Sequence, residues 1–243
     1  MKFKFIGRVQ ETSECHIFAF KPEDKFDFQP GQFLRWNLPH SDADERGVKR
    51  FFTISSSPTE GEVWIATRIN AEKSSTFKKA LLKLNPGDVL FAEGPKGDFV
   101  LPQPLVPMVF IAGGIGITPF RSMLKYLWDS KKTIDITLLY SNRTAEDIPF
   151  KSLIDAFDAG SVLKVVYTIT DNIPPDWQGE TGFIDAEMIK RYVPDYDKRL
   201  IYISGPEPMV QSFETMFAGM GLTGENIRTD YFPGYTETYS KLE

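Results

Sequence analysis

The stretch Val106–Trp128, VPMVFIAGGIGITPFRSMLKYLW, constrains this chain most strongly. Met108–Ala112 is a short, almost wholly apolar run, the pattern of a parallel strand covered on both faces. Gly113, Gly114 and Gly116 follow at once, and Thr118 and Pro119 then stand where an N-cap and a first helical residue belong. Phe120, Met123, Leu124, Leu127 and Trp128 recur at helical spacing and mark one buried face. A strand that feeds a helix through three glycines offers free backbone N–H groups and the positive helix end to an anion, and the missing Cβ atoms let a phosphate come close. The spacing is GGxG, not GxGxxG, and in isolation it serves an ordinary tight turn equally well.

Beyond this stretch strands and helices alternate. The pattern predicts strands at Ile134–Tyr140, Val162–Thr168 and Arg199–Ser204 and a final edge strand at Ile227–Phe232. Helices are predicted at Thr118–Asp129, Glu146–Phe157, Asp185–Tyr192 and Pro208–Met220. Such alternation builds a parallel sheet in an α/β domain. The first hundred residues read differently. Short runs rich in β-branched and aromatic residues (Phe33–Leu38, Phe51–Ser55, Val63–Ile69, Asp88–Glu93) are separated by Pro-Gly and Asn-Pro-Gly-Asp turns, which predicts a small antiparallel β-barrel. Ser75–Leu84 alone has helical spacing there. Pro102, Pro104 and Pro107 mark a linker, so two domains are expected, a β-barrel over 1–101 and an α/β domain over 106–243.

Composition excludes several function classes. The net charge of −5 argues against a broad nucleic-acid surface. Cys15 is the only cysteine, so no disulfide within the chain and no cysteine-ligated cluster can be built. His16 and His40 are the only histidines, which leaves a zinc site or a Ser-His-Asp triad poorly supported. MKFKFIGRVQ has no leader-like core, and no run approaches the ~18 apolar residues of a membrane span. A cytoplasmic protein without membrane attachment is the expectation.

In an open α/β sheet, ligands bind off the carboxyl ends of the strands. The glycine turn, Ser141-Asn142-Arg143 and Ser204-Gly205-Pro206-Glu207-Pro208-Met209 all fall there. Arg143 could pair with a phosphate or lie in a solvated loop. In the first half, RFFTISSSP (Arg50–Pro58) places an arginine, an aromatic plate and several hydroxyls in one extended run. Such a run suits gripping a phosphate and stacking a planar ring, and it also suits an ordinary amphipathic strand. Ser74, Ser75 and Thr76 offer hydroxyls to a phosphate or a routine helix cap.

In this order, RFFTISSSP, SSTF with NPGD, GPKGDF, GGIGITP, YSNR, SGPEPM and the closing DYF resemble the ferredoxin–NADP reductase superfamily of flavoproteins over essentially the whole chain. The resemblance implies a flavin-binding barrel followed by a pyridine-nucleotide domain, with FAD as cofactor and NADPH or NADH as electron donor. It implies that Arg50 holds the FAD pyrophosphate, Phe52 packs on the flavin in place of the commoner tyrosine, and Thr53 lies beside flavin N5. Ser74, Ser75 and Thr76 match the pyrophosphate turn, and Thr67 and Arg68 match strand positions that touch FAD. Gly113, Gly114, Gly116, Thr118 and Pro119 match the nucleotide turn. Ser204, Gly205, Pro206, Pro208 and Met209 match a C-G-P-x-P-M motif, with Ser204 where many members carry cysteine near the nicotinamide. Phe232 matches an aromatic that covers the flavin face, and Asp230 a nearby acidic position. Thr53, Ser204 and Phe232 are thus the residues implied for the chemistry.

The function implied is hydride transfer from NAD(P)H to FAD, then single-electron transfer to a separate acceptor: a ferredoxin, a flavodoxin or an oxygenase component. Lys49, Lys73, Lys78, Lys79, Lys83 and Lys96 offer such a partner a basic face, or are simply solvated. Two alternatives stand beside it. One is a reductase of free flavin or another small acceptor, the other a non-catalytic flavin-binding subunit of a larger complex. Ser141 and Arg143 lean towards the 2′-phosphate of NADPH. A monomer is expected.

Overall fold

Alternation of apolar and polar residues builds the first sheet. In β1 (Lys2–Gln10) Phe3 and Phe5 turn inward, and in β2 (Cys15–Pro22) Phe18 and Phe20 meet them. β3 (Phe33–Asn37), β4 (Lys49–Thr53), β5 (Val63–Arg68) and β6 (Val89–Lys96) complete an antiparallel sheet of order β4-β3-β6-β1-β2-β5. Ser55 N–H donates to Trp64 O at 2.9 Å, which joins the continuation of β4 to β5 and curls the sheet into a barrel. Between β5 and β6, α1 (Thr76–Leu81) buries Phe77, Ala80 and Leu81 in the barrel core beside Trp36. Each fully buried aromatic of this kind stabilises the fold by about 1.5–3 kcal/mol. The computed structural model describes residues 1–70, 72–159, 163–222 and 224–232.

The second sheet is parallel throughout. Its strands are β7 (Met108–Gly113), β8 (Ile136–Asn142), β9 (Lys164–Ile169), the short β10 (Glu180–Thr181), β11 (Leu200–Pro206) and β12 (Ile227–Phe232), in the order β10-β9-β8-β7-β11-β12. The helices are α2 (Ile117–Asp129), α3 (Lys151–Ala159), α4 (Ala186–Tyr192) and α5 (Glu207–Gly219). One face of the sheet packs on α2 and α3, the other on α4 and α5. The first of these layers also takes in Cys15, Ile17, Ala66 and Phe99 from the preceding half, so the two halves share buried apolar surface.

The two-part architecture follows the expectation, with two local corrections. Thr118 is not an N-cap. A 3-10 turn over Gly114–Gly116 runs straight into α2, Gly116 is already helical at φ −59°, and the Thr118 hydroxyl donates back to Ile115 O at 3.1 Å. The helix expected over Glu146–Phe157 is a 3-10 turn at Ala145–Asp147 followed by α3, because Pro149 biases Ile148 to an extended conformation. The expected strand start at Val162 lies outside the described residues.

Candidate functional site

β7 and β11 are neighbours at the point where the strand order reverses, the position beyond whose carboxyl ends open α/β sheets bind their ligands. The glycine turn leaves β7 there, and Ser204-Gly205-Pro206 closes β11. A Cβ on Gly113 would overlap Met209 Sδ, and one on Gly116 would overlap Ser204 O. Two of the three glycines therefore let one loop lie directly on the other, a different reason from phosphate access. Gly114 is the one at which a Cβ would meet only ordinary van der Waals contact. It has φ +53°, and a Cβ there would meet Arg68 Nη2 at 3.5 Å. Ser204 Oγ is buried and has no hydrogen-bond partner. Thr118 and Pro119 are buried in the first turn of α2, and Met209 lies beneath Gly113 in the first turn of α5.

On the barrel side, β4 places Arg50 and Phe52 on one face and the exposed Phe51 on the other. Phe77 from α1 lies 5.8 Å from the Phe52 ring and 5.6 Å from the Arg50 guanidinium. Thr53 is buried at the end of β4, and Thr67 is buried on β5. The three hydroxyls at the start of α1 have internal partners. Ser74 Oγ accepts from Asn70 N–H (2.8 Å), Ser75 Oγ accepts from Lys78 N–H (3.4 Å), and Thr76 Oγ1 accepts from Asp44 N–H (3.1 Å). Of the candidate basic face, Lys49 pairs with Glu93 at 3.1 Å and Lys78 Nζ donates to Arg68 O at 2.9 Å.

Two arginines join the halves. Arg121 of α2 reaches Glu60 with both Nη atoms, donates to Ser55 O at 3.1 Å and lies 4.5 Å over Trp64. Beside it Ser122 Oγ donates to Ser56 O at 2.6 Å. The extension of β4 is thereby tied to the helix that follows the glycine turn. Arg68 follows Thr67 and points to the opposite face of β5, towards the α/β half. Its guanidinium bonds the Asp147 carboxylate and carbonyl, and Thr12 Oγ1 donates to the same carboxylate. Tyr140 OH bridges Gly114 O (3.1 Å) and Pro149 O (3.2 Å), which holds the turn to this cluster.

At the end of β8, Ser141 and Asn142 are buried, and both amide atoms of Asn142 lack a partner. Arg143 is 63% exposed and reaches Asp171 at 3.5 Å. On β12, Asp230 stands in register with Ser204, and Phe232 pairs its backbone with Pro206. The Phe232 side chain lies outside the described residues.

Burial pushes the Asp230 carboxyl up to about 7, and Asp98 nearby pushes the same way. The folded chain thus keeps a proton that an ordinary carboxyl near 3.8 has released, so stability falls as pH rises from about 4 to about 7. Asp230→Asn is expected to flatten this slope and to raise the melting temperature at pH 8. Melting curves across pH 4–9 check this, and parallel profiles for the two proteins would contradict it.

The residues present suit a flavin and a pyridine nucleotide. Arg50 Nε, Ser204 Oγ and the Asn142 amide are buried polar atoms without partners, and they stand at the barrel surface and at the strand ends. Gly114 leaves a cradle open beside Arg68. Sequence reasoning did not find Asp44, Glu60, Arg121 or Asp147 as site residues, and it named Asn142 only as part of the stretch after β8. Arg121 carried one signal, a charge inside the otherwise apolar start of α2. The others sit in polar loops or at a strand end, where their type is ordinary.

Comparison with known proteins agrees with this geometry. The model of the oxidoreductase FAD-binding domain matches residues 2–101, and that of the oxidoreductase NAD-binding domain matches residues 110–215. The chain is 28% identical over 230 residues to the glycine betaine monooxygenase reductase subunit of Chromohalobacter salexigens, covering 92% of this chain and 62% of that one. It spans about three fifths of the length of such relatives. Its fold is similar to the flavohem-like FAD/NAD-binding domain of nitric oxide dioxygenase from Vibrio cholerae O1 biovar El Tor, with a TM-score of 0.81 at 20% identity, covering 95% and 98% of the two chains. Ferredoxin-NADP+ reductase from Plasmodium falciparum gives a TM-score of 0.77 at 19% identity, covering 95% of each.

Proposed function

Because the chain belongs to the ferredoxin–NADP reductase superfamily of FAD- and NAD-binding oxidoreductases, we propose that it takes a hydride from NAD(P)H onto FAD and passes single electrons to a separate protein carrier. The observation that carries this is the buried tie between Arg121, Ser122 and the backbone of Ser55 and Ser56. It anchors the strand bearing Arg50, Phe52 and Thr53 to the helix that starts at the glycine turn.

FAD supplies a two-electron acceptor that can release its electrons one at a time. In this reading Arg50 binds its phosphates, Phe52 packs on the ring, and Thr53 and Thr67 line the pocket. The N-terminal residues Ser74, Ser75 and Thr76 contribute at the helix end. Arg68, expected at FAD, turns instead to Asp147 and Gly114, so we assign it with Gly114 to the phosphates of the pyridine nucleotide, with Gly113, Gly116, Thr118 and Pro119 holding the turn. Gly205, Pro206 and Met209 support Ser204, whose free hydroxyl faces the nicotinamide. Phe232 closes the flavin face. Hydride transfer itself moves no separate proton, so this reading asks for no acid–base pair. Cys15 is buried and its thiol is pushed up to about 12, chiefly by burial, so it holds little of the reactive thiolate at neutral pH.

The acceptor we assign is an oxygenase component or a small iron–sulfur or flavin carrier, as the relative named a monooxygenase reductase subunit suggests. The test is direct. Purified protein offered excess FAD should turn yellow and bleach anaerobically with NADH or NADPH. Failure to take up FAD would end this reading, and bleaching without electron delivery to any protein carrier would favour a reductase of small acceptors.

Among the described residues, no helix is long and apolar enough to cross a membrane. For the choice of donor, Ser141 and the exposed Arg143 favour NADPH, while Asp171 beside Arg143 offsets part of its charge. Arg143→Ala is expected to raise KM for NADPH about tenfold and leave KM for NADH unchanged, about 1.4 kcal/mol of charge-assisted contact. Equal effects on both nucleotides would remove Arg143 as a discriminator.

A further inference from the structure

The polar loop PHSDADERGVK between β3 and β4 curls back onto the start of α1. Asp44 N–H donates to Thr76 Oγ1, and His40 Nε2 lies 3.1 Å from the same oxygen. The Asp44 carboxylate accepts from Arg50 Nη2 at 2.6 Å and from Arg46 Nη2 at 3.0 Å. Arg50 Nη1 donates to the carbonyls of Arg46, Gly47 and Lys49 at 2.9, 2.9 and 2.7 Å. The guanidinium is therefore clamped along one edge, and its buried Nε has no partner. Burial pushes Asp44 up, but hydrogen bonds from Arg46 and Arg50 outweigh it and hold the carboxyl below its usual range, so it is ionised at neutral pH.

We propose that Asp44 is a specificity-determining residue that selects FAD over FMN by holding and partly neutralising Arg50. The proposal rests on the reading that a flavin nucleotide binds at Arg50. An anion at the free Nε edge meets the positive guanidinium and, just behind it, a fixed negative charge. Arg50 is 15% exposed and Asp44 23%, so water screens these charges only in part. The terminal monoester of FMN carries about two negative charges on one phosphorus at neutral pH, since its second pKa is about 6. Each phosphorus of the FAD diphosphate carries one. Repulsion from Asp44 scales with the charge it faces, so it penalises the monoester more. The clamp also fixes the guanidinium plane before the cofactor arrives, which reduces the entropy lost on binding.

The test is equilibrium binding of FAD, FMN and riboflavin to the full chain, read by flavin fluorescence, for the wild type, Asp44→Asn and Asp44→Ala. Both variants alter an exposed loop and leave the barrel core untouched. At pH 7.5 each is expected to tighten FMN about tenfold relative to FAD, with riboflavin unchanged. At pH 5.5, where the monoester loses its second charge, the gain should shrink to about threefold or less. An FAD-to-FMN ratio that stays constant would overturn the proposal, as would a gain that persists at pH 5.5 or extends to riboflavin. If the wild type binds no flavin, the broader functional reading falls with it. Wild-type FAD binding with an unaltered ratio in the variants removes Asp44 alone.

Discussion

Replacing Arg121 with methionine is expected to lower the unfolding midpoint by roughly 6–20 °C, the counterpart of about 3–5 kcal/mol for breaking a buried ion pair in a chain of this size. Arg121 is 4% exposed and Glu60 15%. The substitution leaves the carboxylate of Glu60 with only the Ser57 N–H at 2.6 Å, and it removes the donor to Ser55 O. It also strips the cation from over Trp64. A methionine fills much of the space but donates nothing. Adding Glu60→Gln should recover part of the loss, because the amide oxygen still accepts from Ser57 while the unpaired charge is gone. Calorimetry on the three proteins tests this. A midpoint within 2 °C of the wild type would mean that the clamp is a minor contact. On the proposed function, the same variant should reduce hydride transfer more than it reduces FAD content, since Arg121 ties the extension of β4 to the helix after the glycine turn.

Gly116→Ala is expected to slow anaerobic flavin reduction by NAD(P)H about 100-fold while leaving bound FAD near stoichiometric. The new Cβ would overlap Ser204 O and stand 2.8 Å from Gly205 Cα. Both are backbone atoms at the end of a central strand and cannot swing away as a flexible side chain can. Relief requires the glycine turn and the end of β11 to part by on the order of 1 Å, and a displacement of that size costs about 100-fold when two reacting groups must be aligned. Arg50, Phe52 and Thr53 lie on β4, outside the overlap itself. Gly114→Ala is the comparison. It meets only Arg68 at 3.5 Å and costs about 1–2 kcal/mol of left-handed backbone strain. Stopped-flow reduction separates the two. A Gly116→Ala rate within about threefold of the wild type would show that the overlap is absorbed elsewhere.

Much of the architecture was legible because it depends on local pattern. The apolar run Met108–Ala112, the helical spacing from Phe120 to Trp128 and the alternation of Phe3 and Phe5 each state a periodicity that neighbouring structure does not alter. Local pattern failed where a single residue competes with it. Pro149 cut an apparent helix in two, and the 3-10 turn displaced Thr118 from the cap position.

The sequence by itself determined a barrel, a parallel sheet and the glycine- and proline-bearing turns at the strand ends, since side-chain alternation, helical spacing and glycine placement act over a few residues. Only the tertiary structure decided how those turns are used. It placed Gly113 and Gly116 under β11 and left Gly114 open. It turned Arg68 away from Thr67 to Asp147, which lies 79 residues further along the chain. It also seated Asp44 on Arg50 and Arg121 on Glu60. A charged side chain in a loop or on a helix has many partners within reach of its type. Which one it meets depends on long-range packing and on the cost of burying a charge unpaired, neither of which is written in neighbouring residues.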